Sequence, residues 1–280
     1  PGVVRRDPGI LAKIAAAGRV GKPVDGHAPG LTGTDLNAYV AAGVSSEHEA
    51  TTLCEAREKM RLGMWLMVRE GSAARNLAAL LPLARDTGGE RMMFVTDDRH
   101  PDDLLAAGEL DEVLRLAVAG GLDPVAAVRM ATLNPAAYFG LDDRGVVAPG
   151  RIADLWLVRD LAGFETEAVV KSGRLVYSGG RWVGEPEGIR AGVTAGAGGT
   201  GQANSVHLPQ DLSGLLRVPP RSGRARVIGI VPGQIVTRNL ALEVCLDGAG
   251  SLGPAGREVS KIAVIERHGR RGSVGVGLVS

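Results

Sequence analysis

Phe94-Val95-Thr96-Asp97-Asp98-Arg99-His100-Pro101 is a short apolar strand that stops at paired carboxylates and turns into a helical pattern. The same layout stands twice more upstream, in Val24-Asp25-Gly26-His27 and in Ser46-Glu47-His48-Glu49. Each strand ends at a side chain able to bind a metal. In a (β/α) barrel the chemistry sits at the carboxyl ends of the strands. Three such ends in succession predict part of a metal-dependent hydrolase barrel.

The flanking sequence carries the same alternation. Ile10 to Ala17 reads as an apolar helix and Val20 to His27 as a strand. Thr34 can cap a helix over Asp35 to Ala42, closed by Gly43. Val44 to His48 is the next strand, and the helix after it places Leu53, Ala56 and Met60 on one face. Met64 to Val68 is a continuous apolar strand that ends at Arg69-Glu70-Gly71. Ser72 caps the following helix, whose buried stripe is Leu77, Leu80, Leu81 and Ala84; Met92 to Thr96 is the fourth strand. Strand–helix repeats of this length imply parallel pairing, and continuous apolar strands imply burial on both faces. Four units are half of an eight-fold barrel, which needs roughly 250 residues.

Two helices are expected next, Asp103 to Ala119 and Pro124 to Tyr138. The pattern then turns to β: Arg144 to Gly150 is turn-rich, Ala153 to Val158 is a strand, and Val169 to Tyr177 is a hairpin about Ser172-Gly173. The expected organisation is therefore α/β. Residues 1–143 form the C-terminal half of a (β/α)₈ barrel, strands five to eight. Residues 144–187 form a small β-sandwich segment, 188–206 a linker rich in Gly, Ala and Thr, and 207–280 part of an α+β C-terminal domain. The chain starts at Pro1 and stops in the apolar run Gly275 to Ser280, so an internal piece of a longer protein is expected.

Composition narrows the class. Hydrophobic residues make up 45% and aromatics only 3%, so aliphatic side chains must fill the core. With 32 basic and 31 acidic residues, no charge imbalance points to a nucleic-acid or membrane partner. Cys54 and Cys245 are far apart in sequence and read as free thiols. With no signal peptide and no run of about 18 apolar residues, a cytoplasmic protein is expected.

His27, His48 and Asp97 are the expected metal ligands, because neutral imidazole and carboxylate are common donors for Zn²⁺, Mn²⁺ and Fe²⁺. A metal there lowers the pKa of its water to about 7, and an adjacent carboxylate can carry the proton to a leaving group. Asp97 and Asp98 repel each other, and a cation relieves the repulsion. Asp97, next to the strand, is assigned to the metal, and Asp98 to the substrate. Glu49 is a proton-shuttle candidate or a partner for a ring nitrogen. Arg69 and Glu70 are candidates to hold a polar substrate, or to close the barrel rim as an ion pair. His100, His207 and His268 lack the strand-end context and read as structural or surface residues. Asp25 reads as pointing away from His27 by strand alternation.

At this point a resemblance enters. Val24 to Gly33, Leu36 to Gly43, Arg69 to Leu77, Thr96 to Arg99 and Ala131 to Ala136 resemble bacterial adenine deaminases of the amidohydrolase superfamily. Ala148-Pro149-Gly150 with Ala153-Asp154-Leu155 is similar to the composite β domain beside such barrels, and Val227 to Thr237 and Lys261 to Gly269 to the C-terminal domain. The resemblance implies a purine substrate, with adenine hydrolysed to hypoxanthine and ammonia by metal-activated water. It implies a binuclear divalent centre of Mn²⁺ or Fe²⁺, with Zn²⁺ compatible, and leaves a homo-oligomer open. It carries His27 and His48 as ligands from the fifth and sixth strands, and Asp97 as eighth-strand ligand and proton acceptor. The family's first-strand His-x-His motif and fourth-strand carboxylate have no counterpart here, so the chain alone is expected to be inactive. Two other readings stay open: an amidohydrolase acting on a different cyclic amidine or amide, and a non-catalytic half-barrel module.

Overall fold

A computed structural model of the chain describes residues 2–183, 206–218, 221–246, 251–252, 259–268 and 272–280. They divide into two compact units, Pro1–Pro186 with Gly233–Ile235, and Glu187–Pro232 with Val236–Ser280. All of the expected linker except Val206 lies outside the described residues.

The first unit opens with α1 (Pro8–Arg19), capped by the Asp7 carboxylate on the Gly9 and Ile10 amides. Then strand and helix alternate: β1 (Asp25–Gly26), α2 (Gly33–Ala41), β2 (Ser46–Glu47), α3 (Leu53–Arg61), β3 (Trp65–Arg69), α4 (Leu77–Thr87) and β4 (Met92–Val95). The four strands form one parallel sheet in chain order β1-β2-β3-β4. Parallel order with intervening helices is what the continuous apolar strands predict. The first two strands are shorter than expected, only the two residues before each His-bearing turn.

Side chains of β3 and β4 alternate between two faces. Leu66, Val68, Met92 and Phe94 pack with Leu77, Leu80, Leu81, Leu83 and Ala84 of α4 in the main core. Met67 and Met93 lie on the other face with Tyr138, and Trp65 and Val95 pack against them. By the same parity Arg69 and, past the strand, Asp97 belong to this second face.

Four helix readings are corrected. Asp103 to Ala119 is two helices, α5 (Pro101–Ala106) and α6 (Leu110–Ala119). Gly108 between them has φ +101°, and a Cβ there would meet the Asp111 carboxylate at 2.5 Å, so the chain turns and Glu109 starts a new helix. Pro124 to Tyr138 likewise divides into α7 (Pro124–Ala131) and α8 (Leu133–Phe139) at Thr132. Ser72 does not cap α4: residues 70–75 form a loop closed by a Glu70–Arg75 bridge and the Asn76 amide on the Arg69 carbonyl, so the helix starts at Leu77. The Ser72 hydroxyl instead donates to Asp103 and accepts from the His100 amide. Thr32, not Thr34, is the residue before α2.

The β segment that follows is a single antiparallel meander: β5 (Leu155–Val158), β6 (Thr166–Lys171), β7 (Arg174–Ser178) and β8 (Arg181–Trp182). β6 and β7 are joined through Ser172-Gly173, as the hairpin reading predicts. Phe164 leaves this segment to enter the main core, 1% exposed.

Among its described residues the second unit holds α9 (Leu212–Leu215) and five strands: β9 (Arg221–Ile230), β10 (Thr237–Leu246), β11 (Ser251–Leu252), β12 (Ser260–Ile265) and β13 (Val274–Val279). They pair in the order β11-β10-β9-β13-β12, with β13 parallel to β9. Ala225, Val227, Val244, Val259 and Leu278 form its core. His207 and His268 meet there as an isolated backbone bridge.

Candidate metal centre

The carboxyl ends of β1 and β2 bring three donors together. His27 follows β1, and His48 and Glu49 follow β2. Parallel register sets Asp25 beside Ser46 and Gly26 beside Glu47, so the residues just past each strand emerge side by side. One ligand atom from each of His27, His48 and Glu49 lies within 4.8 Å of the other two. The His27 and His48 rings meet edge to face, centroids 4.7 Å apart, and His27 Nδ1 is 3.3 Å from Glu49 Oε1. Among the described residues this is the group of metal-capable side chains that converges. Two imidazoles and a carboxylate are the donors that divalent zinc, manganese and iron accept, and three protein ligands leave a coordination position open. The residues present therefore fit one divalent ion.

His48 is held from behind. Its Nδ1 pairs with Asp25 Oδ2 at 2.9 Å, and Asp25 Oδ1 accepts from the Ser46 hydroxyl at 2.7 Å. The Ser46 hydroxyl in turn meets the Tyr138 hydroxyl at 2.6 Å. A carboxylate on Nδ1 fixes the ring's orientation and tautomer and leaves Nε2 for a ligand. The bond to Asp25 raises the His48 pKa, against the pull of burial, and the charge of Asp97 adds to the rise. For Asp25, burial pushes the carboxyl up, but the bonds to His48 and Ser46 outweigh it and leave the value below the ordinary one. The two shifts agree that this is an ion pair. The expectation that strand alternation turns Asp25 away from His27 is corrected: residues two apart on a strand share a face, and Asp25 pairs with His48, whose ring lies against that of His27.

The remaining candidates divide. Asp97 lies two residues past β4 in a left-handed backbone conformation, φ +54°, and its carboxylate pairs with the Arg69 guanidinium rather than joining the converging group. Glu49, rather than Asp97, is the carboxylate that completes the converging group. Arg69 is 3% exposed and also lies 3.9 Å from Glu49, with its Nε and Nη2 buried and unpartnered. Arg69 thus links Glu49 to Asp97 across the strand ends. Asp98 is turned aside: its Oδ2 accepts from the Ala73 amide, on the loop after β3. Glu70 is buried, accepts from the Leu77 amide, and is pushed up in pKa by that burial. Neither Asp98 nor Glu70 reaches the converging group.

Sequence reasoning missed the residues behind the site. Glu47, Glu55 and Lys59 are buried charges wired to the turns that carry the ligands. The signal was present: Glu55 and Lys59 are four apart on the same side of α3 as Ala56, which is fully buried.

A parallel sheet with metal-capable side chains past its strand ends defines a class of metal-dependent hydrolases, and the sequence agrees. Residues 5–176 match the amidohydrolase family, and the chain belongs to it. Over its whole length it is 44% identical to Adenine deaminase 2 of Carboxydothermus hydrogenoformans, covering 47% of that protein, and 45% identical to an adenine deaminase of Nitratidesulfovibrio vulgaris, again covering 47%. An adenine deaminase of Brucella abortus is 43% identical, with 46% covered. The chain spans about half the length of the curated relatives it matches. Among solved structures, the β-aspartyl dipeptidase of Fervidobacterium islandicum AW-1 superposes with a TM-score of 0.52 over 66% of this chain and 54% of its own, at 18% identity. That likeness is one of fold.

Proposed function

We propose that this chain is the metal-bearing portion of an adenine-hydrolysing aminohydrolase. The observation that carries the reading is the convergence of His27, His48 and Glu49 at the ends of two adjacent parallel strands. Supporting it is 43–45% identity, along the whole chain, to proteins named adenine deaminase. On this reading residues 1–143 are strands five to eight of a (β/α)₈ barrel, 144–187 its companion β segment, and 207–280 part of a C-terminal domain.

Hydrolysis of adenine breaks the bond from C6 to the exocyclic nitrogen, forms a bond from C6 to a water oxygen, and delivers a proton to the departing ammonia. His27, His48 and Glu49 would hold a divalent ion, which would supply water acidified to near-neutral pKa. The chain's own groups do the rest. Asp25 holds His48 in position. Asp97 takes a proton from water and passes it on in this reading, which its ion pair with Arg69 supports by keeping the carboxylate at the strand ends. Arg69 has two unpartnered buried nitrogens, suited to an acceptor atom of the purine ring. Glu70 and Asp98 shape the loop after β3. Mn²⁺ or Fe²⁺ is the expected resident metal, a second ion needs donors from elsewhere in the barrel, and the cytoplasm is the expected compartment.

The test is a graft. Replace the matching half of Carboxydothermus hydrogenoformans Adenine deaminase 2 with this chain, and measure ammonia release from adenine and from cytosine. The expected result is adenine-dependent release, lost by at least 100-fold in His48→Ala. A folded graft that prefers cytosine, or that is indifferent to His48→Ala, defeats the proposal in favour of another ring substrate or a non-catalytic module.

A further inference from the structure

Lys59 of α3 is fully buried, yet it touches none of the converging donor atoms. Its Nζ donates to the Ala28 carbonyl at 2.7 Å, to Glu47 Oε1 at 2.7 Å and to Glu55 Oε1 at 2.6 Å. All three ammonium protons are used. Both carboxylates pass the connection on. Glu47 Oε2 accepts from the Glu49 amide at 2.8 Å. Glu55 accepts from the Gly30 amide at 2.7 Å and from the Thr51 amide at 3.2 Å.

The endpoints of this network matter. Ala28 follows His27, and Gly30 is two residues further along the same turn. The Glu49 and Thr51 amides flank the turn that holds His48 and Glu49. One buried ammonium is thus the shared anchor of both ligand-bearing turns, which belong to different strands. Burying two carboxylates and one ammonium is costly, and apolar side chains of similar volume stabilise a core as well or better. What apolar side chains cannot do is hold four named backbone groups at fixed distances.

We propose that Lys59, Glu47 and Glu55 form a positioning triad that sets the spacing of His27 against His48 and Glu49, and so sets metal affinity. The proposal rests on the metal reading of those three residues. Lys59 is a positioning residue: it acts on the metal only through the turns.

The experiment titrates the 280-residue chain with Zn²⁺ alone by calorimetry and follows thermal unfolding in parallel. The uncharged variant Glu47→Gln/Glu55→Gln/Lys59→Met, which takes the triad from a formal charge of −1 to 0, is expected to bind Zn²⁺ about 10–100-fold more weakly, the range found when outer partners of metal ligands are lost. Glu47→Gln alone, which keeps most of the packing, is expected to weaken binding in the same direction by a smaller factor and covers the case in which the triple variant does not fold. Leu80→Ala, in the main core and away from the network, should lower the melting temperature and leave Zn²⁺ affinity unchanged. Variants that bind Zn²⁺ as tightly as the parent chain overturn the positioning role alone. So does a Leu80→Ala chain that weakens binding as much as Glu47→Gln, because affinity would then merely follow stability. A parent chain that binds no Zn²⁺ overturns the metal reading, and this proposal with it.

Discussion

Asp25 shows how a single side chain decides the state of a neighbour. It gives His48 a charged partner on Nδ1, and the Asp25 side chain is 38% exposed, so water screens part of the pair's value. The signs are definite. His48 is raised above 6.5, so its contribution is complete below that value and is lost as pH rises through the raised one. Asp25 is lowered below 3.8, so its contribution is complete above that value and is lost as pH falls through the lowered one. The metal-free chain is therefore most favoured by this pair between pH 3.8 and 6.5. Asp25→Asn should melt about 1–3 °C lower than the parent at pH 5.5, as expected for an ion pair worth under about 1 kcal/mol. The gap should close as pH rises past the His48 transition. A pH-independent gap, followed by circular dichroism, would refute the ion pair.

At the scale of elements, the first two strands are only two residues long, and their shortness places the ligands. Gly26 closes β1 directly before His27 and lies under the Tyr39 ring of α2: a Cβ at Gly26 would sit 1.8 Å from the Tyr39 hydroxyl and 2.8 Å from a Val44 methyl. Gly26→Ala should cost about 1–3 kcal/mol by overpacking, read in urea unfolding. Tyr39→Leu in the same chain should recover part of that loss. An additive double variant would show that the contact is not the cause.

These elements also show what could be read from sequence. The alternation of apolar strands with stripes such as Leu77, Leu80, Leu81 and Ala84 follows from burial periodicity, so the parallel sheet and its helices were visible. His27 and His48 were visible because strand ends in such sheets carry chemistry. The Asp97–Arg69 pair and the loop that turns Asp98 aside were not, because they depend on a left-handed residue after β4 and on a bridge between Glu70 and Arg75. Nor was the split at Gly108, where a glycine in a helical pattern permits either outcome. The spacing of Glu55 and Lys59 on α3 was legible, but their partners Ala28, Gly30 and Glu47 were not, because those contacts are set by the packing of other turns on the helix.

At the scale of the whole molecule, an ion bound by the three donors would share one equilibrium with folding of the first unit. The turns that hold His27, His48 and Glu49 are tied to the same α3 that contributes Ala56 to the main core. An ion that binds the folded state alone stabilises it by about 2.7 kcal/mol at a free concentration 100 times its dissociation constant. For a unit of this size that is about 5–10 °C. Zn²⁺ should raise the melting temperature accordingly, and a chelator should return it to the starting value. A melting temperature that ignores Zn²⁺ up to millimolar concentration would mean that the three donors do not act together.

The Tyr138 hydroxyl, bound to Ser46, ends a chain of contacts that begins at His48, and its ring lies 5.5 Å from the indole of Trp65. The chain has just three tryptophans, so Trp65 should serve as a built-in optical gauge of the histidine: events at the rim have a contact path to an emitting ring on the adjacent strand, with no label attached.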